Sequence, residues 1–161
     1  SHSRETVTEF APVDLAALVK ETAQNMTVNA RRAYVTLQYD VRPATVRGSR
    51  DQLSELAQNL CDNAIRYNRP GGKVQIITTC NRDGHCSLTV ADNGIGIPKE
   101  AQTSVFERFY RVDKSRSKAT GGTGLGLAIV KHIARIHNAR IKLDSVVDEG
   151  TTITVIFETA S

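Results

Sequence analysis

Residues 86–98 read CSLTVADNGIGIP, and this stretch decides the fold. Apolar and polar residues alternate through its first half, which predicts a β-strand whose core-facing row is Leu88, Val90 and Asp92. A carboxylate at the end of an apolar row is costly to bury without a hydrogen-bond donor. Two interpretations of Asp92 stay open: an Asx turn or cap with Asn93-Gly94, or a contact to a ligand that supplies the donor, such as the exocyclic amine of a purine.

The residues on either side of this strand predict a loop and a hairpin. Gly94 and Gly96 let the backbone approach a flat ligand closely, and Pro98 ends the loop. On the amino-terminal side, Lys73–Asn81 has the composition of a strand and is joined to the next one through residues 82–85. The turn residues between the two strands predict an antiparallel pair.

A long amphipathic helix is predicted before this hairpin, capped by Ser49 or Asp51 and running to about Tyr67. With about 100° between successive residues, its apolar side chains form one band and its polar ones a neighbouring stripe. The apolar band consists of Leu53, Leu56, Ala57, Leu60 and Ala64. The polar stripe consists of Gln52, Glu55, Asn59, Asn63 and Arg66.

The polar stripe has an ordinary and a functional interpretation. It is either the solvated side of an amphipathic helix or the wall of a binding site. Asn59 and Asn63 have lower helix propensity than Glu, Lys or Gln, so their place in mid-helix favours a function. Amide oxygens four residues apart suit a hydrated hard cation, which prefers oxygen ligands.

A second glycine cluster, residues 121–126, leads directly into an apolar helix predicted over Leu127–His137. Bare backbone N–H groups at a helix amino terminus suit an oligophosphate, although flexible linkers have a similar composition. The cluster matches neither a dinucleotide-binding fingerprint nor a Walker A loop. The basic residues just before it fit either a solvated loop or a phosphate-facing one. They are Arg108, Arg111, Lys114, Arg116 and Lys118.

The remaining elements complete an α+β pattern. An extended piece over Phe10–Val13 leads into a helix capped by Asp14, and Tyr34–Val41 alternates like a strand. Ala139–Ser145 and Thr151–Glu158 predict a second hairpin. Because strands and helices are interleaved, we expect a sandwich with helices on one face of a sheet.

The 161 residues fit a single domain, with residues 1–8 as a linker or excision scar and residues 9–160 as the folded unit. The chain does not begin with Met, so we expect an excised fragment. No apolar run approaches the roughly 18–20 residues of a membrane span. The net charge of +4 is spread along the chain and only 5% of residues are aromatic, so we expect no nucleic-acid partner.

The three cysteines, Cys61, Cys80 and Cys86, form no Cys-x-x-Cys pair and have no His at ligand spacing. We therefore expect reduced thiols, with a metal site or a disulfide as the alternatives.

Four segments, taken in order, resemble the sequence boxes of one family. Asn59–Tyr67 resembles the N box of bacterial two-component sensor histidine kinases, and Asp92–Pro98 resembles their G1 box. Phe106–Arg111 resembles the F box and Gly122–Leu127 the G2 box. The order and spacing agree over nearly the whole chain. The chain is thus similar to the ATP-binding catalytic domain of these kinases, the GHKL or Bergerat fold, and most resembles phosphate-sensing and cell-wall-sensing members.

The resemblance implies a two-layer α/β sandwich. Its mixed, mostly antiparallel sheet would have about five strands, covered on one face by about three helices, with a mobile ATP lid over about Val112–Thr123. It also implies that Asn63 holds Mg²⁺ and that Asn59, one turn earlier, lies close to the metal or phosphates. Arg66 would point towards phosphate and Tyr67 along the base or ribose.

At the base end, the resemblance implies that Asp92 accepts from the adenine amine while Gly94, Gly96 and Ile97 shape the pocket. Arg111 is the candidate for contacting the terminal phosphate and, with Asn59, for a catalytic role. Phe106 and Phe109 would anchor the lid or meet a partner helix, with core packing as the alternative. The triphosphate would be wrapped by Gly122, Thr123, Gly124, Leu125, Gly126 and Leu127.

The same resemblance predicts an ATP-dependent histidine kinase domain that lacks its phosphoacceptor. Related hydrolases place a water-activating Glu where this chain has Asn59, a neutral amide. The expected partners are the absent dimerisation and phosphotransfer domain and a response-regulator receiver domain. We expect a monomeric, cytoplasmic fragment of a homodimeric, membrane-anchored parent. An anti-sigma-type serine kinase and a nucleotide sensor without phosphotransfer are the alternatives.

Overall fold

The computed structural model describes residues 10–106 and 126–158. The strands are β1 (Ala11–Asp14), β2 (Thr36–Val41), β3 (Thr45–Gly48), β4 (Lys73–Cys80), β5 (Cys86–Asp92), β6 (Arg140–Val146) and β7 (Gly150–Phe157). The helices are α1 (Leu15–Asn25), α2 (Thr27–Arg32), α3 (Arg50–Arg66) and α4 (Gly126–Ile136), with a 3₁₀-helix at Lys99–Ala101. None of the described helices is long and apolar enough to cross a bilayer.

Five strands form the main sheet in the order β2-β4-β5-β7-β6. The β2–β4 pair is parallel and the other neighbours are antiparallel, which confirms the predicted mixed, mostly antiparallel sheet. The register places Asp92, the last residue of β5, opposite Val74 on one side and Thr151 on the other. The end of the central strand is therefore flanked by backbone on both sides.

The core lies between the sheet and the helices α1, α3 and α4, as the sequence predicts. The predicted apolar band of α3 is buried throughout. Ser49 caps this helix by accepting a hydrogen bond from the Gln52 N–H at 3.3 Å, and Asp14 caps α1 by accepting from the Ala17 N–H at 3.0 Å. Both predicted caps are confirmed, and they fix where the two helices begin.

Three local features differ from the sequence predictions. The extended piece after Phe10 pairs with β3 in a separate two-stranded sheet, although β3 itself was not predicted. The short helix α2 was not predicted either, and the segment after Pro98 is a single 3₁₀ turn. Strands of four residues and helices of six carry too few residues for a periodic pattern to emerge.

The expectation of three reduced thiols is wrong for two of them. Cys80 and Cys86 form a disulfide, with their Cα atoms 3.9 Å apart. They are partners in the last pair of the β4–β5 ladder, so the hairpin register brings them together. Cys61 is free and buried; burial raises the pKa of its thiol to about 12, and the neighbouring negative charge of Asp62 adds to this.

His137 joins the end of α4 to the start of α3. Its Nδ1 lies 2.8 Å from the Ile133 carbonyl oxygen, and its Nε2 accepts from the Ser49 N–H at 3.0 Å. Phe10 stacks on the ring at a centroid distance of 4.7 Å. Because Nε2 must accept, Nδ1 carries the proton and the neutral imidazole is the form that fits.

Burial lowers the pKa of His137 from 6.5, and the hydrogen bond with the Ile133 carbonyl acts in the opposite direction. The unfolded chain therefore binds a proton at this site more readily than the folded one. We expect the free energy of unfolding to fall as the pH drops below 6.5, by up to about 1.4 kcal/mol per pH unit from this residue.

Urea unfolding between pH 7.5 and 5.5 checks this prediction, with His137→Gln compared against the unaltered chain. The variant should lose less stability on acidification. Exposed His132 provides the control, because His132→Gln should retain the original slope. Equal slopes for all three proteins would contradict the prediction.

Candidate functional site

Asp92 is held by hydrogen bonds on one oxygen only. Its Oδ1 accepts from the Gly94 N–H at 2.9 Å and from the Thr151 N–H at 3.2 Å. Within the described part of the chain, no donor reaches Oδ2. The turn interpretation and the ligand interpretation are therefore compatible, because the Asx turn occupies Oδ1 and leaves Oδ2 as an acceptor.

The electrostatics of Asp92 follow from this arrangement. Burial raises its pKa from 3.8 to about 6, while the hydrogen bonds from Gly94 and Thr151 lower it. The effect of desolvation on the pKa thus exceeds that of the two hydrogen bonds, because a carboxylate needs more than two hydrogen bonds to replace its hydration. An additional donor at Oδ2 would stabilise the ionised form.

The loop after Asp92 is packed against the segment that follows α3. A Cβ added at Gly94 would lie 2.3 Å from the Tyr67 carbonyl oxygen, a distance that no real side chain adopts. The same carbonyl accepts from the Ile95 N–H at 3.1 Å. Only glycine therefore allows the two segments to touch. The predicted N-box and G1-box segments are neighbours in space.

The other side of the loop is packed against the turn between β6 and β7. Gly96 has a φ of +74°, and a Cβ there would meet the Val146 carbonyl at 2.2 Å. The Asp148 N–H donates to the Ile95 carbonyl at 2.8 Å, and the Arg69 guanidinium pairs with the Asp148 carboxylate at 2.6 Å. The loop is thus enclosed on both sides, which fixes its backbone.

Three polar side chains that the sequence analysis did not single out also hold this loop. Ser145 Oγ accepts from the Ile97 N–H at 2.8 Å and lies 2.8 Å from Thr151 Oγ1. The Gln102 side-chain amide donates to the carbonyls of Ile97 and Ser145, at 3.0 and 3.1 Å. The available signal was weak: Ser145 and Thr151 occupy core-facing positions in otherwise apolar strands.

The two asparagines of α3 lie on its half-buried polar stripe, one turn apart. The Asn59 Nδ2 donates to the Glu55 carbonyl at 2.8 Å, which leaves the amide oxygen available. A Cβ added at Gly126, the first residue of α4, would lie 3.5 Å from this oxygen. No described side chain or backbone group hydrogen-bonds the side-chain amide of Asn63. The oxygen of Asn59 therefore lies beside the amino terminus of α4 as an available acceptor.

Arg66 and Tyr67 end the same helix. The Arg66 Nε donates to Asp62 Oδ2 at 2.7 Å, a pair one turn apart on the helix surface. Tyr67 is half-buried and contributes its backbone carbonyl to the contact with Ile95. Among the predicted site residues, Ile97 and Leu127 have side chains in the core.

Several predicted site residues lie outside the described part of the chain. They are Arg111, Gly122, Thr123, Gly124 and Leu125, together with Phe109, the other basic residues of residues 108–118 and the predicted lid. Phe106 is described, and it is partly buried against the core.

The described geometry joins the N-box and G1-box segments, and it places Gly126, from the end of the G2-box segment, beside Asn59. Comparison with known proteins identifies the family. A sequence model of the family described as "Histidine kinase-, DNA gyrase B-, and HSP90-like ATPase" matches residues 48–161. The chain belongs to this ATPase family.

The relatives place this ATPase domain among sensor histidine kinases. The sensor-like histidine kinase SenX3 of Mycolicibacterium smegmatis is 42% identical over 152 residues, which is 94% of this chain and 39% of that protein. The phosphate regulon sensor protein PhoR of Pseudomonas aeruginosa is 40% identical over 147 residues, 91% of this chain and 32% of that protein. The chain therefore spans between about a third and two fifths of these relatives.

A solved structure of the mycobacterial sensor histidine kinase MprB supports the same assignment. It is 31% identical, superposes with a TM-score of 0.78, and the match covers 91% of this chain and 97% of that one. The predicted family, its ATPase fold and the likeness to phosphate-sensing kinases are thus confirmed.

The raised pKa of Asp92 makes the stability of the domain depend on pH. The folded state favours the protonated carboxyl, so the stabilising effect of protonation is complete below pH 3.8 and is lost as the pH rises through about 6. At neutral pH the buried carboxylate should cost about 2–3 kcal/mol. Asp92→Asn should therefore stabilise the domain by about this amount at pH 7.5, and by under about 1 kcal/mol at pH 4.

Urea denaturation of both proteins at the two pH values measures this difference. A variant that gains the same free energy of unfolding at pH 4 and pH 7.5 would show that the effect is unrelated to ionisation. Asp144→Asn, on the exposed face of β6, is the control and should change neither value by more than about 0.5 kcal/mol.

Proposed function

We propose that this domain binds Mg-ATP and supplies the γ-phosphate to a histidine on a separate helical domain, as part of two-component signalling. The observation that carries the proposal is Asp92, a half-buried carboxylate at a loop whose backbone is fixed on both sides. One of its oxygens accepts two hydrogen bonds, and no described group donates to the other. Its membership of an ATPase family supports the choice of nucleotide.

Adenine would be recognised at Asp92. The open Oδ2 accepts from the exocyclic amine, and the Gly94–Gly96 backbone lies close enough to border a flat ring. A purine with a carbonyl at the same position cannot donate, so the site selects adenine over guanine. Tyr67, at the end of α3, borders the base or ribose.

Mg²⁺ would be held by Asn63 with Asn59 nearby, together with phosphate oxygens and water. The described residues contain no cluster of three His, Cys, Asp or Glu side chains that could hold a metal ion. Magnesium fits such a site because it commonly keeps several waters and binds through substrate phosphates. The donor set fits as well, since amide oxygens are hard ligands and no group in residues 10–106 or 126–158 hydrogen-bonds the side-chain amide of Asn63. The ion would neutralise charge on the phosphates.

The triphosphate would lie against the amino terminus of α4, where Gly126 begins the helix and bare N–H groups carry a partial positive charge. Arg111 would contact the terminal phosphate, and Arg66 would lie on the same side of the site. The phosphates would be wrapped by Gly122, Thr123, Gly124 and Leu125. Leu127 contributes backbone here, because its side chain lies in the core.

Transfer to a delivered nucleophile fits these residues better than hydrolysis does. Asn59 is a neutral amide whose nitrogen is already bonded to the Glu55 carbonyl, so it cannot take a proton from water. Glu55 is exposed and lies a turn further from the predicted metal ligand. The phosphate would thus be positioned while the helix offers no carboxylate one turn before Asn63, which suits phosphoryl transfer.

The nucleophile would come from the dimerisation and phosphotransfer domain, and the phosphate would pass on to a response-regulator receiver domain. In this proposal the chain is a monomeric, cytoplasmic domain of a homodimeric, membrane-anchored sensor. Among the described histidines, His137 is buried, His85 pairs with Glu158 at 2.9 Å, and His132 is exposed on α4. None of the three is followed by Glu, so none lies in the His-Glu helical context of a phosphoacceptor.

Affinity for ATP tests the assigned roles. Asp92→Asn keeps the shape of the side chain but turns an N–H₂ group towards the adenine amine. We expect ATP affinity to fall about 10–100-fold, the range for a lost hydrogen bond to a charged group. Asn63→Ala should abolish the dependence of affinity on Mg²⁺.

Isothermal titration calorimetry with and without Mg²⁺ measures both effects, and Asp144→Asn serves as the matched control with unchanged affinity. Unchanged affinity in both site variants would overturn the assigned roles.

The isolated chain should bind radiolabelled ATP without labelling itself. Adding a separate helical dimerisation domain that contains a His-Glu motif should yield acid-labile phosphohistidine. Stable label on a histidine of the isolated chain would contradict the proposal. Acid-stable label on a serine of an added anti-sigma-antagonist-type partner would favour the serine-kinase alternative instead.

A further inference from the structure

A continuous hydrogen-bond network links the open carboxylate to a side chain outside the resembling boxes. From Asp92 it passes through the Thr151 N–H at 3.2 Å and then from Thr151 Oγ1 to Ser145 Oγ at 2.8 Å. From Ser145 it continues to the Ile97 N–H at 2.8 Å. Gln102 closes it by binding the carbonyls of both Ile97 and Ser145.

The donors and acceptors around Ser145 fix the direction of each hydrogen bond. The Gly150 carbonyl can only accept, so the Ser145 hydroxyl donates to it at 3.0 Å. Ser145 Oγ therefore accepts from both the Ile97 N–H and the Thr151 hydroxyl, which uses one donor and two acceptor sites. The hydroxyl of Ser145 therefore makes every hydrogen bond that a hydroxyl can make. No other residue type of this size offers one donor and two acceptors in that position.

Gln102 completes the network from the opposite side. Its Nε2 carries two hydrogens, and both are used, at 3.0 Å to the Ile97 oxygen and at 3.1 Å to the Ser145 oxygen. Ile97 is thus held at its N–H by Ser145 and at its carbonyl by Gln102. Neighbouring Ala101 and Val105 are buried in the core, which anchors the segment that carries Gln102.

We propose that Ser145 and Gln102 are positioning residues, which hold residues 92–97 in the conformation that presents Asp92 Oδ2 to adenine. Neither side chain needs to touch the nucleotide. They act through Ile97 and Thr151, whose backbone groups fix the end of the loop and the Asp92 carboxylate. The inference rests on the proposed function, since it assumes that Asp92 reads adenine.

The ratio of ATP affinity to GTP affinity tests this inference. The 6-oxo group of guanine cannot donate to Asp92, so GTP reports on the rest of the site. Ser145→Ala removes a donor and two acceptors, and Gln102→Glu places a carboxylate against two carbonyls. In each variant we expect ATP affinity to fall about tenfold and GTP affinity to stay the same, so the ratio falls about tenfold.

Two matched controls accompany the variants. Thr152→Ala removes a hydroxyl next to Thr151 but on the opposite face of β7, and Glu100→Gln changes one charge on the turn that carries Gln102. Both should keep the original ratio. A merely structural role would reduce the folded fraction and weaken both nucleotides in proportion, which leaves the ratio unchanged and overturns the inference.

The outcomes separate the inference from the function on which it rests. A wild-type chain that binds ATP no better than GTP overturns the proposed adenine site, and this inference falls with it. A wild-type preference for ATP that survives in both variants overturns the inference alone. If Ser145→Ala does not fold, Gln102→Glu decides by itself, because Gln102 is only partly buried.

Discussion

The half-satisfied carboxylate of Asp92 is the interaction on which the rest of the site depends. The cost of burying it is visible in its pKa, which burial raises to about 6 although two N–H groups donate to Oδ1. These two donors come from opposite directions, one from the loop and one from β7. The pairing of β5 with β7 and the contact of Gly94 with Tyr67 are therefore both needed to hold one oxygen and leave the other open.

The parts of the fold that the sequence predicts are those governed by local patterns. The helix α3 has a cap at Ser49, an apolar band and a polar stripe, and its observed bounds match the prediction within a residue or two. The two hairpins have alternating strands and short turns, and they were also predicted closely. In each case a single segment carries enough periodic residues to determine its own structure.

The features that were missed depend on pairing between two segments rather than on a pattern within one. The β1–β3 pair joins two four-residue strands about thirty residues apart, and neither strand has a diagnostic pattern by itself. The Cys80–Cys86 disulfide follows from the hairpin register, which places the two residues opposite each other. A search for Cys-x-x-Cys spacing cannot detect this, and the predicted four-residue connection over residues 82–85 places Cys86 opposite Asn81, one residue away from the observed register.

The residues of the candidate site were also predicted or missed according to how much their local context reveals. Asp92, Gly94 and Gly96 were predicted because a carboxylate or a glycine is conspicuous in its local context. Ser145 and Gln102 were missed because a hydroxyl or an amide is unremarkable until its partners are known.

A neutral amide, Asn59, lies one helical turn before Asn63 on the α3 stripe, and this limits what such a site can do. The Asn59 amide nitrogen is engaged with the Glu55 carbonyl, and its oxygen is too weakly basic to activate water. In the proposed reaction, a domain of this kind would orient and polarise a terminal phosphate, and the attacking group would come from outside it. An imidazole, already nucleophilic at neutral pH, needs no such activation, since its unperturbed pKa near 6.5 leaves it largely deprotonated. A neutral amide at position 59 is therefore compatible with the proposed transfer to a separate histidine, although it could not activate water.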